Sequence, residues 1–264
     1  MPGAFQDKVV VITGASRGIG KVIALAFADE GADLVICARD AHTFGLPQVI
    51  QEVVDLVRAK GRRCIGLTLD VAKEEDARAL FDAAIKEYGH IDIMVNNAGL
   101  AAIGQSFFEG DGGLATLDQA YLINVRTPFL LAQLAALHMA ERGGGTIVNI
   151  SSPSALHPHQ RTTPTRPGMA IYGTLSYSYG ITKAAMDRTS TTLAAELKEK
   201  NIAILNLHPG GTVTERIQAM GHVSPTMETP EMSAQSVLFL CKDPMTYTGQ
   251  IIAVRPLVEE HNLV

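Results

Sequence analysis

The order of apolar segments predicts an α/β fold in which helices cover both faces of one doubly wound parallel sheet. Three observations carry this expectation. Short β-branched runs alternate with longer stretches of helical spacing, each helical stretch is long enough to cross from one strand to the next, and a glycine cluster follows the first strand directly. Strands joined by crossover helices pair in parallel and wind right-handedly.

The first strand is "KVVVIT" (8–13), and segment 18–30 then sets Ile19, Val22, Ile23, Leu25, Ala26 and Phe27 at helical spacings. "DLVICA" (33–38) is the second strand, and 46–60, carrying Val49, Val53, Leu56 and Val57, the second helix. Further strands are expected at "CIGLTLD" (64–70), "IDIMVNN" (91–97), "TIVNIS" (146–151) and "IAILNLH" (202–208), with helices at 74–88, 116–140 and 179–199. No repeat, linker or charge block divides the 264 residues, so residues 1–264 read as one domain. The stretch 153–177, rich in Pro, Thr, Ser, Gly and His, is an enlarged loop between a strand and a helix. Such connections are short in most α/β folds, and a long one points to function.

Composition narrows the partners. A hydrophobic content of 47% supplies a large core, and a net charge of -5 argues against a nucleic-acid or anionic-membrane surface. The start "MPGAFQDKVVVITG" lacks a basic region followed by a long apolar one, and no run is expected to reach the length of a membrane span; a cytoplasmic protein is expected. Cys37, Cys64 and Cys241 are far apart without metal-ligand spacing, which suits buried thiols in a reducing compartment. His157 and His159 have no evident further ligands, so no metal is expected.

"TGASRGIG" (13–20) joins the first strand to the first helix. Gly14 allows a tight turn, Gly18 lets a ligand approach the backbone, and Gly20 permits close helix–sheet packing. The amides at the helix start then favour a pyrophosphate. The spacing is GxxxGxG, not the commoner GxGxxG.

That variant, in this place, resembles the TGxxxGxG pattern of the classical short-chain dehydrogenase/reductase family. The likeness continues, in the family's order, through "NNAG" (96–99), Asn124 in "YLINV", Ser151 and Ser152 in "IVNISS", Tyr179 and Lys183 in "YGITK", and "PGGTVT" (209–214). The resemblance implies a Rossmann-like domain that reversibly oxidises a secondary alcohol to a ketone or aldehyde with NADP(H) or NAD(H). It also implies the cofactor contacts: Gly14, Ser16, Arg17, Gly18, Ile19 and Gly20 from the first loop; Arg39 after the second strand; Asp70 and Val71 after the third; Asn97, Ala98 and Gly99 after the fourth; and Pro209, Gly210, Thr212 and Thr214 near the nicotinamide. Asp70 also reads as a helix cap, and the two threonines as turn caps.

An acidic residue about twenty positions after the glycines holds the ribose hydroxyls of NAD in many such domains. Here the second strand ends Ala38-Arg39-Asp40. Arg39 and Arg17, with no carboxylate at Ala38, favour the 2′-phosphate of NADP. The alternative is NAD, with Asp40 on the ribose and Arg17 in solvent.

"SYSYGITK" (176–183) poses a choice between two tyrosines. A carbonyl oxygen that gains or loses charge during hydride transfer needs a proton donor or acceptor beside it. Tyr179 and Lys183 stand four apart and share a helix face, whereas Tyr177 has Ile181 at that offset and Tyr172 has Ser176. A cation about 4 Å away at an effective dielectric near 20 is worth roughly 4 kcal/mol, enough to bring a phenol from about 10 towards about 7. Tyr177 is left as a neighbour at the site mouth or a packing residue.

By resemblance, Lys183 also holds the nicotinamide ribose, Ser152 binds the substrate oxygen, and Asn124 orders a water beside the lysine. Ser151 and Ser154 compete for the serine role, and Asn124 also reads as a polar residue at a helix kink. Three departures from the family stand out. Ser152 and Tyr179 are 27 positions apart, so the loop between them is expected to shape the substrate pocket. "ERIQAMGHVSPTMETPEM" after Thr214 is short, which is expected to leave the pocket open on that side, and the last strand lacks a following glycine pair. Apolar stripes on 116–140 and 179–199 suit a homo-oligomer, dimer or tetramer, or else only face the sheet. A nucleotide-binding regulator that has lost turnover is the rival from another class.

Overall fold

The structure, a computed structural model, describes residues 3–39, 49–101, 113–156 and 177–264. Asp40, His157, His159, Tyr172, Ser176 and most of the enlarged loop lie outside the described residues.

Among the described residues seven strands form one sheet: β1 (Val9–Thr13), β2 (Asp33–Ala38), β3 (Cys64–Thr68), β4 (Ile93–Asn96), β5 (Gly145–Ile150), β6 (Ile202–His208) and β7 (Ile251–Ala253), in the order β3-β2-β1-β4-β5-β6-β7. Every pairing is parallel. The helices are α1 (Gly18–Asp29), α2 (Ile50–Ala59), α3 (Glu74–Tyr88), α4 (Leu114–Tyr121), α5 (Thr127–Glu141), α6 (Tyr177–Lys198), α7 (Glu215–Ala219), α8 (Pro230–Lys242), α9 (Pro244–Tyr247) and α10 (Val254–His261). A π-helical turn, Leu122–Arg126, joins α4 to α5, and a 3₁₀ turn, Pro153–Ala155, follows β5.

The two-residue period of the strands sorts their side chains into two cores. Val10, Ile12, Leu34 and Ile36 pack with Ile23 and Phe27 of α1 and Val237 and Leu240 of α8. Val11, Val35 and Met94 pack on the opposite face with Leu80 of α3 and Leu131 and Met139 of α5. Both faces are therefore covered, as the near-continuous apolar strands require.

Leu114–Glu141 runs on as a single helix of 28 residues, long and apolar enough by composition to cross a membrane. Its inner face places Leu131, Ala135 and Met139 in the second core, so that apolarity packs within the domain. At the C-terminus, α10 follows β7 directly and buries Leu257 and Val258, and Arg255 Nε pairs with Glu228 Oε1 at 3.0 Å.

Strand order reverses beside β1, whose neighbours are β2 and β4. The crevice at the carboxyl ends of these strands is where open α/β sheets bind ligands.

Candidate active site

At that crevice the glycine loop is stitched to the end of β4. Asn97 Nδ2 donates to the carbonyls of Thr13 and Gly14, each at 2.9 Å, and Thr13 Oγ1 accepts the amides of Asn97 and Ala98, each at 3.0 Å. Gly14 and Gly18 have φ of 67° and 57°, in the left-handed region that glycine enters without strain.

A cavity of about 670 Å³ opens here. Its floor is Gly14, Ser16, Arg17 and Gly18, with Arg39 after β2, Asp70 and Val71 after β3, and Asn97, Ala98 and Gly99 after β4. Thr214 closes the far side. Ile19 and Gly20 stand behind this lining in α1, and Pro209, Gly210 and Thr212 in the turn after β6. Asp70 Oδ1 accepts the Ala72 amide at 3.1 Å, so it caps its own turn while lining the cavity. Buried Ala38 ends β2 without a carboxylate, and exposed Arg39 lies within electrostatic reach of Arg17. The Gly18 amide already binds an anionic oxygen, Glu215 Oε2, at 2.9 Å. A loop whose amide takes an anion, in a cavity lined by the three guanidiniums of Arg17, Arg39 and Arg216, fits a dinucleotide.

The segment after Thr214 supplies part of the cavity wall. Thr214 Oγ1 caps α7 by accepting the Ile217 amide at 3.4 Å, and Glu215, Arg216 and Met220 line the cavity. Sequence reading missed these three; the signal was the Thr-Glu pair, a helix-start signature after a turn. Arg216 donates to the Ala101 carbonyl at 2.7 Å.

The second half of the site sits past Gly99. Tyr179 is half-buried in the first turn of α6, whose first residue is Tyr177, and its phenol shares a hydrogen bond with the Ser152 side chain. Ser152 Oγ also accepts the Ser154 amide at 3.1 Å, while Ser151 Oγ turns to the Lys183 carbonyl at 3.4 Å. Of the three serines, Ser152 is thus the one that meets Tyr179.

Burial pushes the Tyr179 phenol up, and the Ser152 hydrogen bond and the Arg216 charge pull it back. Lys183 Nζ lies 5.7 Å from the Tyr179 ring centre and donates to the Ile150 carbonyl at 2.7 Å. Burial lowers Lys183 to about 8, opposed by the charge of Asp187. The two residues share a face as their spacing predicts. Among the described residues, however, the cation whose charge lowers the phenol is Arg216.

Asn124 is fully buried in the π-turn. Its Oδ1 accepts the Leu100 amide at 2.8 Å, and its Nδ2 donates to the Leu100 carbonyl and to Thr182 Oγ1, each at 3.0 Å. A Cβ on Gly99 would lie 3.4 Å from Asn124 Oδ1 and 3.6 Å from Lys183 Nζ, so the cavity and these polar groups meet at this glycine. Tyr179, Ser152 and Lys183 themselves stand beyond the cavity lining. Among the described residues no group of His, Cys, Asp and Glu is placed to hold a metal.

Residues 8–223 match the family model described as short chain dehydrogenase. The chain is similar to 7alpha-hydroxysteroid dehydrogenase of Escherichia coli (strain K12), 32% identical over 263 residues that cover 94% of this chain and 93% of that protein. It is similar to Dehydrogenase/reductase SDR family member 1 of Mus musculus, 30% identical over 287 residues covering 100% of this chain and 84% of that protein. A solved structure of 7 alpha-hydroxysteroid dehydrogenase complexed with NADH and 7-oxo glycochenodeoxycholic acid superposes with a TM-score of 0.79 at 30% identity, covering 94% of this chain and 93% of that one. With the glycine loop, the parallel sheet and the likeness extending over nearly the whole length, the chain belongs to the short-chain dehydrogenase/reductase family, oxidoreductases that act on CH–OH and C=O groups.

Proposed function

We propose that the protein is an NADP(H)-dependent oxidoreductase that interconverts a secondary alcohol and a ketone or aldehyde, with Tyr179 as general acid and base. The observation that carries this reading is the hydrogen bond between Tyr179 and Ser152. A phenol paired with a hydroxyl offers one substrate oxygen both a proton and a second hydrogen bond.

The nicotinamide, when bound, supplies or accepts the hydride. In reduction Tyr179 gives its proton to the carbonyl oxygen, and Ser152 fixes that oxygen in line. Lys183 keeps positive charge near the phenol and would hold the nicotinamide ribose. Asn124 holds the backbone of Leu100 and the helix at Thr182, and so steadies the wall beside Lys183. Thr212, Thr214, Pro209 and Gly210 bound the nicotinamide end.

Arg17 and Arg39, with Ala38 where an acid would read the ribose, support NADP. NAD is the second reading, favoured by the NADH bound in the related 7 alpha-hydroxysteroid dehydrogenase complex. Buried free thiols at Cys37, Cys64 and Cys241, each pushed by burial to about 12, support a reducing, cytoplasmic setting. Exposed Leu114, Tyr121, Phe129 and Leu137 on the long helix, with Ile181 on α6, support pairing with a second copy.

The test is consumption of NADPH or NADH with a panel of ketones that includes an oxo-steroid, in wild type and Tyr179→Phe. NADPH should bind more tightly than NADH, and Tyr179→Phe should reduce turnover by about 10²–10⁴. A clear NADH preference would remove the NADP assignment, and full turnover by Tyr179→Phe with a chemically limited substrate would remove the tyrosine.

A further inference from the structure

We propose that Asp187, clamped by His208, is a positioning residue for the reaction, the buried carboxylate one helical turn from Lys183 that holds the ammonium in place beside Tyr179. The inference rests on the reading of Lys183 given above.

Asp187 follows Lys183 by one turn of α6, and both are buried, at 5% and 2% exposure. His208 is the last residue of β6 and is 3% exposed. Its Nε2 donates to Asp187 Oδ2 at 2.8 Å. The neighbouring Asn206 Nδ2 donates to the Asp187 carbonyl at 3.4 Å, so the strand grips this turn of the helix at two points. His208 leads directly into Pro209 and Gly210, the turn assigned to the nicotinamide end. The pair thus ties the lysine's helix to that turn.

A carboxylate taken from water into a protein interior carries a desolvation cost that one hydrogen bond does not repay. Asp187 Oδ1 has no hydrogen-bond partner among the described residues, so the group is poorly justified as a stabilising device. One helical turn before it, at the i,i+4 spacing that puts two side chains on one face, stands another buried charge, Lys183. Lys183 Nζ has the Ile150 carbonyl as its close acceptor and Met186 Sδ at 3.9 Å. Burial alone would bring this ammonium further down than about 8, and Asp187 opposes that fall.

The other groups around α6 leave this role to Asp187. On α6 itself stands Tyr179, and α7 contributes Arg216, whose charge bears on the phenol. From β6 comes His208, and from β5, the 3₁₀ turn and the π-turn come the Ile150 carbonyl, Ser152 and Asn124. On α4, Asp118 and Tyr121 are exposed, and on α5, His138 packs edge-on against Phe81.

The experiment is the pH dependence of kcat/KM for alcohol oxidation, with saturating oxidised cofactor, in wild type, Asp187→Asn, His208→Gln and His208→Leu. Asparagine keeps the shape and an acceptor for His208 but removes the charge. The basic limb should then move down by about one pH unit, a tenfold change in proton concentration. His208→Gln retains a donor to the carboxylate and should keep the limb near its wild-type position. His208→Leu leaves the carboxylate unsupported and should move the limb in the direction of Asp187→Asn, which gives a second line of evidence if that variant does not fold. A loss that is uniform across pH, or an unmoved limb in both Asp187→Asn and His208→Leu, overturns the proposal. Lys183→Met separates the two levels: if it retains turnover, the role of Lys183 falls; if it loses turnover while the limb stays fixed in Asp187→Asn, only the present inference falls.

Discussion

Glu215 Oε2 accepts the Gly18 amide at 2.9 Å, which sets a carboxylate of α7 on the first residue of α1. The diphosphate of a dinucleotide needs amides at this helix start. On the function proposed above, carboxylate and diphosphate would compete for this amide, and the cofactor would displace the side chain. Glu215 also faces Arg17 and supports its positive charge.

Glu215→Gln should accordingly bind the cofactor more tightly. A hydrogen bond to a charged group contributes about 1.5–3 kcal/mol, and the exposure of Glu215 reduces this to about 1 kcal/mol, or roughly fivefold in Kd. Isothermal titration of NADPH against both proteins measures it. Equal or weaker binding by the glutamine variant would show that the contact does not compete.

Arg216 supplies a second prediction. Its charge lowers the Tyr179 phenol, so removing it lets burial push the phenol higher. Alcohol oxidation requires the phenolate. In Arg216→Gln the acid limb of the oxidation profile should therefore move to higher pH, and ketone reduction, which needs the phenol protonated, should persist to higher pH. Arg216→Lys keeps a charge in place and should recover part of the shift. A drop in kcat at every pH, with both limbs fixed, would mark Arg216 as a packing residue instead.

These residues show where sequence reading reaches its limit. The strands were legible because β-branched runs such as Val9–Thr13 and Asp33–Ala38 are buried on both faces and bear no interrupting polar residue. The glycine loop was legible because a positive φ at Gly14 and Gly18 admits few other residues. The pairing of Tyr179 with Lys183 followed from helical spacing alone. What spacing does not encode is the direction of a flexible side chain, and Lys183 Nζ turns to the Ile150 carbonyl. Helix α7 has only five residues, too few to show a period, so Glu215 and Arg216 read only as part of a short segment expected to leave the pocket open. Asp187 and His208 lie 21 positions apart on different elements, and only the packing of α6 on β6 brings them together.

A third prediction concerns the helix–loop joint itself. Gly20 lies in α1, where alanine is ordinarily favoured by about 1 kcal/mol. Here an added Cβ would stand 2.4 Å from Asn97 Nδ2 and 2.5 Å from the Gly14 carbonyl. One of these is backbone, and the other is held by two hydrogen bonds to Thr13 and Gly14, so neither yields cheaply. Overpacking of this kind costs about 1–3 kcal/mol and outweighs the gain in helix propensity. Gly20→Ala should lower Tm by about 2–4 °C for each kcal/mol lost. It should also weaken cofactor binding, because Asn97 and the Gly14 turn must shift together. Gly61→Ala is the control: its φ of 79° imposes backbone strain, but a Cβ there meets nothing within 4 Å, and the residue is far from the cavity lining. It should reduce Tm without altering Kd for the cofactor, whereas Gly20→Ala should change both. Wild-type values of Tm and Kd in Gly20→Ala would mean that the loop relaxes around a methyl group, and that the close approach of α1 to β4 is not what shapes the cavity floor.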